Sequence, residues 1–427
     1  MKISIRTIKN FLLCAFLILF LAFTGNYPNG RINIMLLLLL CLVGISLIAF
    51  KGKLQINSLY TIPLLYFLYF LSDVSNGISS SSDIVNLVIC IALIVTFVQY
   101  IFNKSDTYTV IRIVFFVFLI AGPIIGIYQM VTGGFIFPET EASVYYNYKI
   151  FNSQQSNENY SALTMIIPVF LSLYLFSQSK KQTVKIFLVI SALVSFVCLL
   201  LTFSRGAILG AAIALLVLIY SLSKYNKEIF KEITLGKIVF VIASLIAIVV
   251  LYSHAEKFVN SFDVRNLLEK KTHGSLEARI IQWKSIVTIM SNSGLKNLFL
   301  GYGSNYPNIV GSISGYYISA HNIFFGHLIQ NGIIGCICLI SLFVNSIKKS
   351  IEILKTDDLG GKFIAALVVT MWVAYQFVSM VRWELWFSII VLELYYSSKY
   401  KSFESYSLKD SHYTCYAQSK NDFGGTV

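Results

Sequence analysis

The sequence predicts an all-α polytopic membrane protein with about twelve transmembrane helices and a large extracytoplasmic loop before the tenth. Three observations carry that reading. Apolar runs near the ~20 residues of a bilayer-spanning helix recur along almost all of the 427 residues. The chain is 56% hydrophobic and only 12% charged, with a mean hydropathy of +0.73, whereas a soluble domain carries roughly a quarter charged residues. Lysines and arginines gather in every second loop, as the positive-inside rule expects. The net charge of +13 therefore has a membrane explanation rather than a nucleic-acid one.

Taken in order, hydropathy predicts spans near 8–24, 32–50, 58–75, 84–103, 108–131, 160–178, 185–204, 206–223, 236–253, 321–345, 363–380 and 383–398. The first follows Lys2, Arg6 and Lys9 like a signal peptide, but its length and the absence of an A-x-A site make it an uncleaved helix. With the N-terminus in the cytoplasm, the inner loops hold Lys51/Lys53, Lys104, Lys180/Lys181/Lys185, Lys224/Lys227/Lys231/Lys237 and Lys348/Lys349/Lys355/Lys362. The organisation is then a five-helix region (1–131), a first outer loop (132–159), four helices (160–253), a large outer loop (254–320), three helices (321–398) and a cytoplasmic tail (399–427). Seven cysteines lie mainly inside apolar helices and form neither a disulfide framework nor a zinc pattern.

The outer segments are distinctive. Residues 73–83, DVSNGISSSSD, read as an acidic, serine-rich loop, and 132–159 carry the tyrosine cluster Tyr145, Tyr146 and Tyr148. Within the large loop, SLEARIIQWKSIVTIM (275–290) reads as an amphipathic helix capped by Ser275, with Leu276, Ile280, Trp283, Val287 and Met290 on one apolar stripe. Such a helix lies on the membrane surface or on the bundle. The LFLGYGSNYPNI turn that follows has glycines through which backbone N–H groups can approach an anion.

Four places hold residues able to carry chemistry. Arg205, in LLTFSRGAIL, falls at the outer end of a span, against the charge bias. An arginine at the bilayer centre costs about 2.5–3.5 kcal/mol on insertion scales, and less near an interface. It reads either as a snorkelling side chain or as an anion site between helices, and no acidic residue in the flanking spans neutralises it. His321 stands where the large loop re-enters the membrane and reads as a general base or as a capping residue. His327, about 240° further round a helix, reads as packing or a local hydrogen bond. Arg382 and Glu384, in MVRWELW, fall in a short outer turn and either neutralise each other or, for Glu384, assist a base.

These pieces together resemble the O-antigen ligase and O-antigen polymerase superfamily, the Wzy-type bacterial polysaccharide enzymes. The resemblance rests on Ser204-Arg205-Gly206, on Arg279 and Trp283 in an R-x-x-x-W helix, and on Gly301-Tyr302-Gly303. It continues in His321-Asn322 with Asn331-Gly332-Ile333-Ile334-Gly335, and upstream in Asn157, Asn159 and Ala162. It covers roughly 145–345; Glu158 stands where proline is common, and Asn331 where glutamate is frequent. The fold it implies is GT-C-like. The activity it implies is metal-independent, cofactor-free transfer of a glycan from undecaprenyl diphosphate, on the outer face of the bacterial cytoplasmic membrane. In that mechanism Arg205 and Arg279 bind the diphosphate and His321 activates the acceptor hydroxyl, with Asn322, Asn159, Arg382 and Glu384 as supporting candidates. Implied partners are the lipid-linked oligosaccharide, membrane lipid, a flippase and a chain-length regulator. Polymerase is preferred over ligase. A lipid-linked-sugar transporter is the reading from another class, and it would predict internal repeats that the sequence lacks.

Overall fold

The computed structural model describes residues 10–15, 17, 44, 58–78, 81–102, 107–132, 158–202, 204–225, 275–315, 320–378 and 383–400. The expected span near 32–50 apart from Gly44, the expected span near 236–253, the tyrosine cluster, Asn157 and Arg382 lie outside the described residues. What is described is helical, with no strand among the described residues.

The helices follow the apolar runs closely. A 3₁₀ turn, Ser58–Tyr60, leads into α1, Thr61–Ser75, and α2 is Ser81–Phe102. Helix α3, Thr107–Leu119, passes through a π-helical turn, Ile120–Ile124, into α4, Ile125–Thr132. Pro123 sits in that turn, where its missing N–H and bulky ring disrupt the regular ladder. Helices α5 (Glu158–Gln178), α6 (Gln182–Leu201) and α7 (Arg205–Tyr225) follow. Three shorter helices make the large-loop region: α8, Ser275–Ser291, α9, Leu295–Leu300, and α10, Tyr306–Ser314. The chain closes with α11 (Ile323–Leu354), α12 (Leu359–Ala374) and α13 (Trp383–Lys399). Among the described residues, six helices are long and apolar enough to cross a membrane.

Helix α12 is the hub, packed against α5, α7, α11 and α13. Its Trp372 and Met371 are buried, as are Leu385, Trp386 and Ile389 of α13. Helices α6 and α7 are peripheral and leave Ile186, Phe187, Ile190, Leu193, Leu215 and Leu216 exposed, the side chains of a lipid-facing surface. A second, smaller core joins Ile286, Ile289 and Met290 of α8 to Tyr306 and Val310 of α10 and to Ala320 and Ile329.

Two sequence expectations need correction. The tenth span is not one helix over 321–345: α11 breaks at Gly332, whose φ of 65° and ψ of −166° no helix contains. Residues 333–354 alone rise about 33 Å, enough for a ~30 Å hydrocarbon core. The short piece 323–331 is thereby free to pack on the large-loop helices. The stripe expected on α8 is only partly buried, with Met290 buried and Trp283 half-buried. Ile280 and Val287 are exposed, while Ala278, Gln282, Ser285, Ile286, Ile289 and Met290 are buried. Small and polar side chains share the buried face with Ile286, Ile289 and Met290 where α11 and α10 pack on it, and hydrophobicity alone does not report that.

Candidate functional site

Helix ends that the loops predict to be on one side do meet in space. The start of α7, the start of α5, the end of α12 and the start of α11 converge, and α8 packs on α11. Ser204 donates its hydroxyl to Asn159 Oδ1 at 2.9 Å, tying the S-R-G junction to the first turn of α5. Gly206 lies against the Phe377 ring, where a Cβ would come within 2.6 Å of Cδ2. One residue back, Gln376 Oε1 accepts from Asn322 Nδ2 at 3.2 Å. This chain of contacts runs from Arg205 to His321.

Arg205 is the first residue of α7 and is exposed. A cation there opposes the helix dipole, whose positive end favours an anion. Arg279, on α8, is half-buried. Burial and the positive charge of Arg205 together hold its guanidinium below the usual arginine range. Two guanidinium groups therefore face one region, and among the described residues neither has a carboxylate within ion-pair distance.

His321 is the one non-glycine residue at positive φ (48°) among the described residues. That left-handed conformation costs an L-residue about 1–2 kcal/mol, and contacts on both sides sustain it. Before it, Ala320 is buried and its carbonyl accepts from Trp283 Nε1 at 2.7 Å. After it, Asn322 caps α11, its Oδ1 accepting from the Phe324 and Phe325 amides at 2.9 and 3.1 Å. The Trp283 indole also stacks on Phe325, centroids 5.5 Å apart and planes at 15°. The R-x-x-x-W helix thus carries Arg279 and, one turn on, the residue that holds the approach to His321.

The remaining candidates divide. His327 is buried, with Nδ1 2.9 Å from the Ile323 carbonyl and Nε2 2.7 Å from Tyr69 Oη. A carbonyl only accepts, so Nδ1 carries the proton and Nε2 accepts from the tyrosine. This is the local bonding role expected of it. Glu384 is buried in the first turn of α13, where the dipole suits a carboxylate. Near it Trp383 stacks on Tyr66 at 5.7 Å. Among the described residues no three His, Cys, Asp or Glu side chains gather as a metal-ligand set.

The glycine turn is corrected in role. Three of its N–H groups are spent on protein: Gly301 N donates to the Asn297 carbonyl at 2.8 Å, Tyr302 N to the Ile329 carbonyl at 2.9 Å and Ser304 N to Asp73 Oδ1. Gly301 and Gly332, both at positive φ, seat the turn against the helix break. A Cβ on either would come within 2.3 Å of a backbone oxygen, that of Gln330 or Phe299. Ser72 bonds the Gln330 carbonyl at 2.7 Å, and Asn76 bonds the Gly301 carbonyl at 3.1 Å. In the sequence Asp73 and Asn76 read only as part of the outer loop 73–83, and Ser72 only as part of the span 58–75. Their role depends on partners more than 220 positions away, which local pattern does not reveal.

Fold and site together define a multi-pass helical membrane protein with a cationic site and a histidine at one end of its bundle. Comparison with known families makes this more particular. Residues 190–340 match the family model described as O-Antigen ligase, a stretch holding Arg205, Arg279, Trp283 and His321. The match supports the resemblance to the O-antigen ligase and polymerase superfamily, and with it glycan transfer of that general type. No curated protein matches the chain.

Proposed function

We propose that the protein is a bacterial surface-polysaccharide polymerase, moving a glycan from undecaprenyl diphosphate to a hydroxyl of a lipid-linked repeat unit. The observation that carries this is the pair Arg205 and Arg279, one exposed and one half-buried, near enough for one charge to act on the other, with no carboxylate within ion-pair distance of either among the described residues. Such a pair is costly unless an anion fills it, and a diphosphate offers oxygens to both forks. His321 takes the proton of the acceptor hydroxyl. The freed oxygen attacks the anomeric carbon as the carbon–oxygen bond to the diphosphate breaks. The leaving charge passes to the two arginines, so no strong general acid is needed. Asn322 and Asn159 position His321 and the Arg205 junction. The lysine-rich opposite end supports a cytoplasmic placement for that end and an outer-face site.

The test is incubation of purified protein in lipid nanodiscs with a lipid-linked repeat unit. A ladder of products is expected, lost in Arg205→Ala, Arg279→Ala and His321→Ala. A ladder from all three variants would overturn the mechanism. Transfer only to a lipid A core or another acceptor would replace polymerase by ligase.

A further inference from the structure

We propose that Trp283 is a positioning residue for His321, acting through its indole N–H; this rests on the reading of His321 as the base. Three observations converge. The His321 backbone is left-handed at φ 48°, a conformation that relaxes unless its neighbours are fixed. The Trp283 Nε1–H is bonded to the carbonyl of the residue immediately before, 2.7 Å away. The same indole is stacked on Phe325, four residues after His321 and within the first turn of α11. One side chain therefore grips the chain on both sides of the histidine. It does so from α8, the helix whose preceding turn bears Arg279. Base and diphosphate-binding arginine are in this way referenced to one rigid element, and the strain at His321 is held by a bond that a phenyl ring cannot make.

The two contacts can be separated. Trp283→Phe keeps a ring for Phe325 and loses the donor; Phe325→Leu loses the stack and keeps the donor. In the ladder assay, Trp283→Phe is expected to lower kcat about 100-fold with donor KM nearly unchanged, and Phe325→Leu less than about threefold. In a His321→Ala background, Trp283→Phe should change the residual rate no further. Equal losses in the two single variants, a rise in KM in place of a fall in kcat, or an undiminished effect in the His321→Ala background would overturn the proposal. So would failure of Trp283→Phe to reach the membrane, which would make the indole a folding residue. Wild-type transfer by His321→Ala would remove the base reading itself. Normal Trp283→Phe beside an inactive His321→Ala would remove only the positioning role.

Discussion

The two ends of the helical bundle treat charge in opposite ways. At the end away from the candidate site, Lys349 pairs with buried Glu393, which also accepts from Ser58 Oγ and Asn345 Nδ2. Lys399 lies 3.4 Å from Asp358, which the Tyr395 hydroxyl also reaches, and Tyr396 donates to Glu352 at 2.6 Å. Fully buried Lys362 donates to the Ser221 carbonyl at 3.1 Å and faces the Tyr225 ring. At the site end, Arg205 and Arg279 repel one another and His321 is backbone-strained. Charges satisfied internally build a bundle; charges left facing one another, beside stored strain, are what a site for an external anion requires.

The largest effect expected from this contrast is at His321. His321→Gly should reduce transfer by about 10²–10⁴-fold, the range for loss of a general base. The same substitution relieves the left-handed backbone and should raise stability by about 1 kcal/mol. A loss of activity together with a loss of melting temperature would mean that the residue is structural. At the far end the signature inverts. Glu393→Ala leaves Lys349 without its partner at a largely buried position and should cost about 3 kcal/mol. Transfer per folded molecule should be unchanged. A fall in transfer with stability intact would erase the distinction between the ends.

Next in size is Gly332→Ala, which probes a feature the sequence concealed. Positive φ and a Cβ directed at the Phe299 carbonyl make a cost of about 2 kcal/mol or more, read as lowered thermal stability. Spans were legible because burial in lipid demands long apolar runs, and α1, α2, α5, α7 and α13 begin or end within a few residues of expectation. The order S-R-G, R-x-x-x-W, H-N was legible too, since it sits at loop–helix junctions. The break within α11 was not, because IFFGHLIQNGIIGCICLI is apolar apart from His327, Gln330 and Asn331, and a glycine there reads equally as close packing. The buried face of α8 was legible only in part. Gln282 and Ser285 face inward beside Ile286, Ile289 and Met290, while Ile280 and Val287 face out, so the buried face mixes polar and apolar residues. Asp73, which accepts from Ser304 N, became meaningful only once α1 and the glycine turn were seen side by side.

The smallest effect tests the anion directly, without turnover. Arg279 has a folded-state pKa below its unfolded value, through burial first and Arg205 second. For a cation this sign means that the folded state binds the proton less tightly than the unfolded state does. The charged pair therefore costs stability throughout the pH range below the folded pKa, neutral pH included. Anything that supplies negative charge between the two groups recovers that cost. Inorganic pyrophosphate should accordingly raise the melting temperature of the wild-type protein, worth about 1.4 kcal/mol at ten times its Kd. The shift should shrink as sodium chloride is raised and the exposed Arg205 is screened. It should vanish in the Arg205→Ala/Arg279→Ala double variant, and survive in Glu393→Ala, whose lesion lies at the other end. An equal pyrophosphate shift in the double variant would place the anion elsewhere and leave the two arginines as an unexplained repulsion.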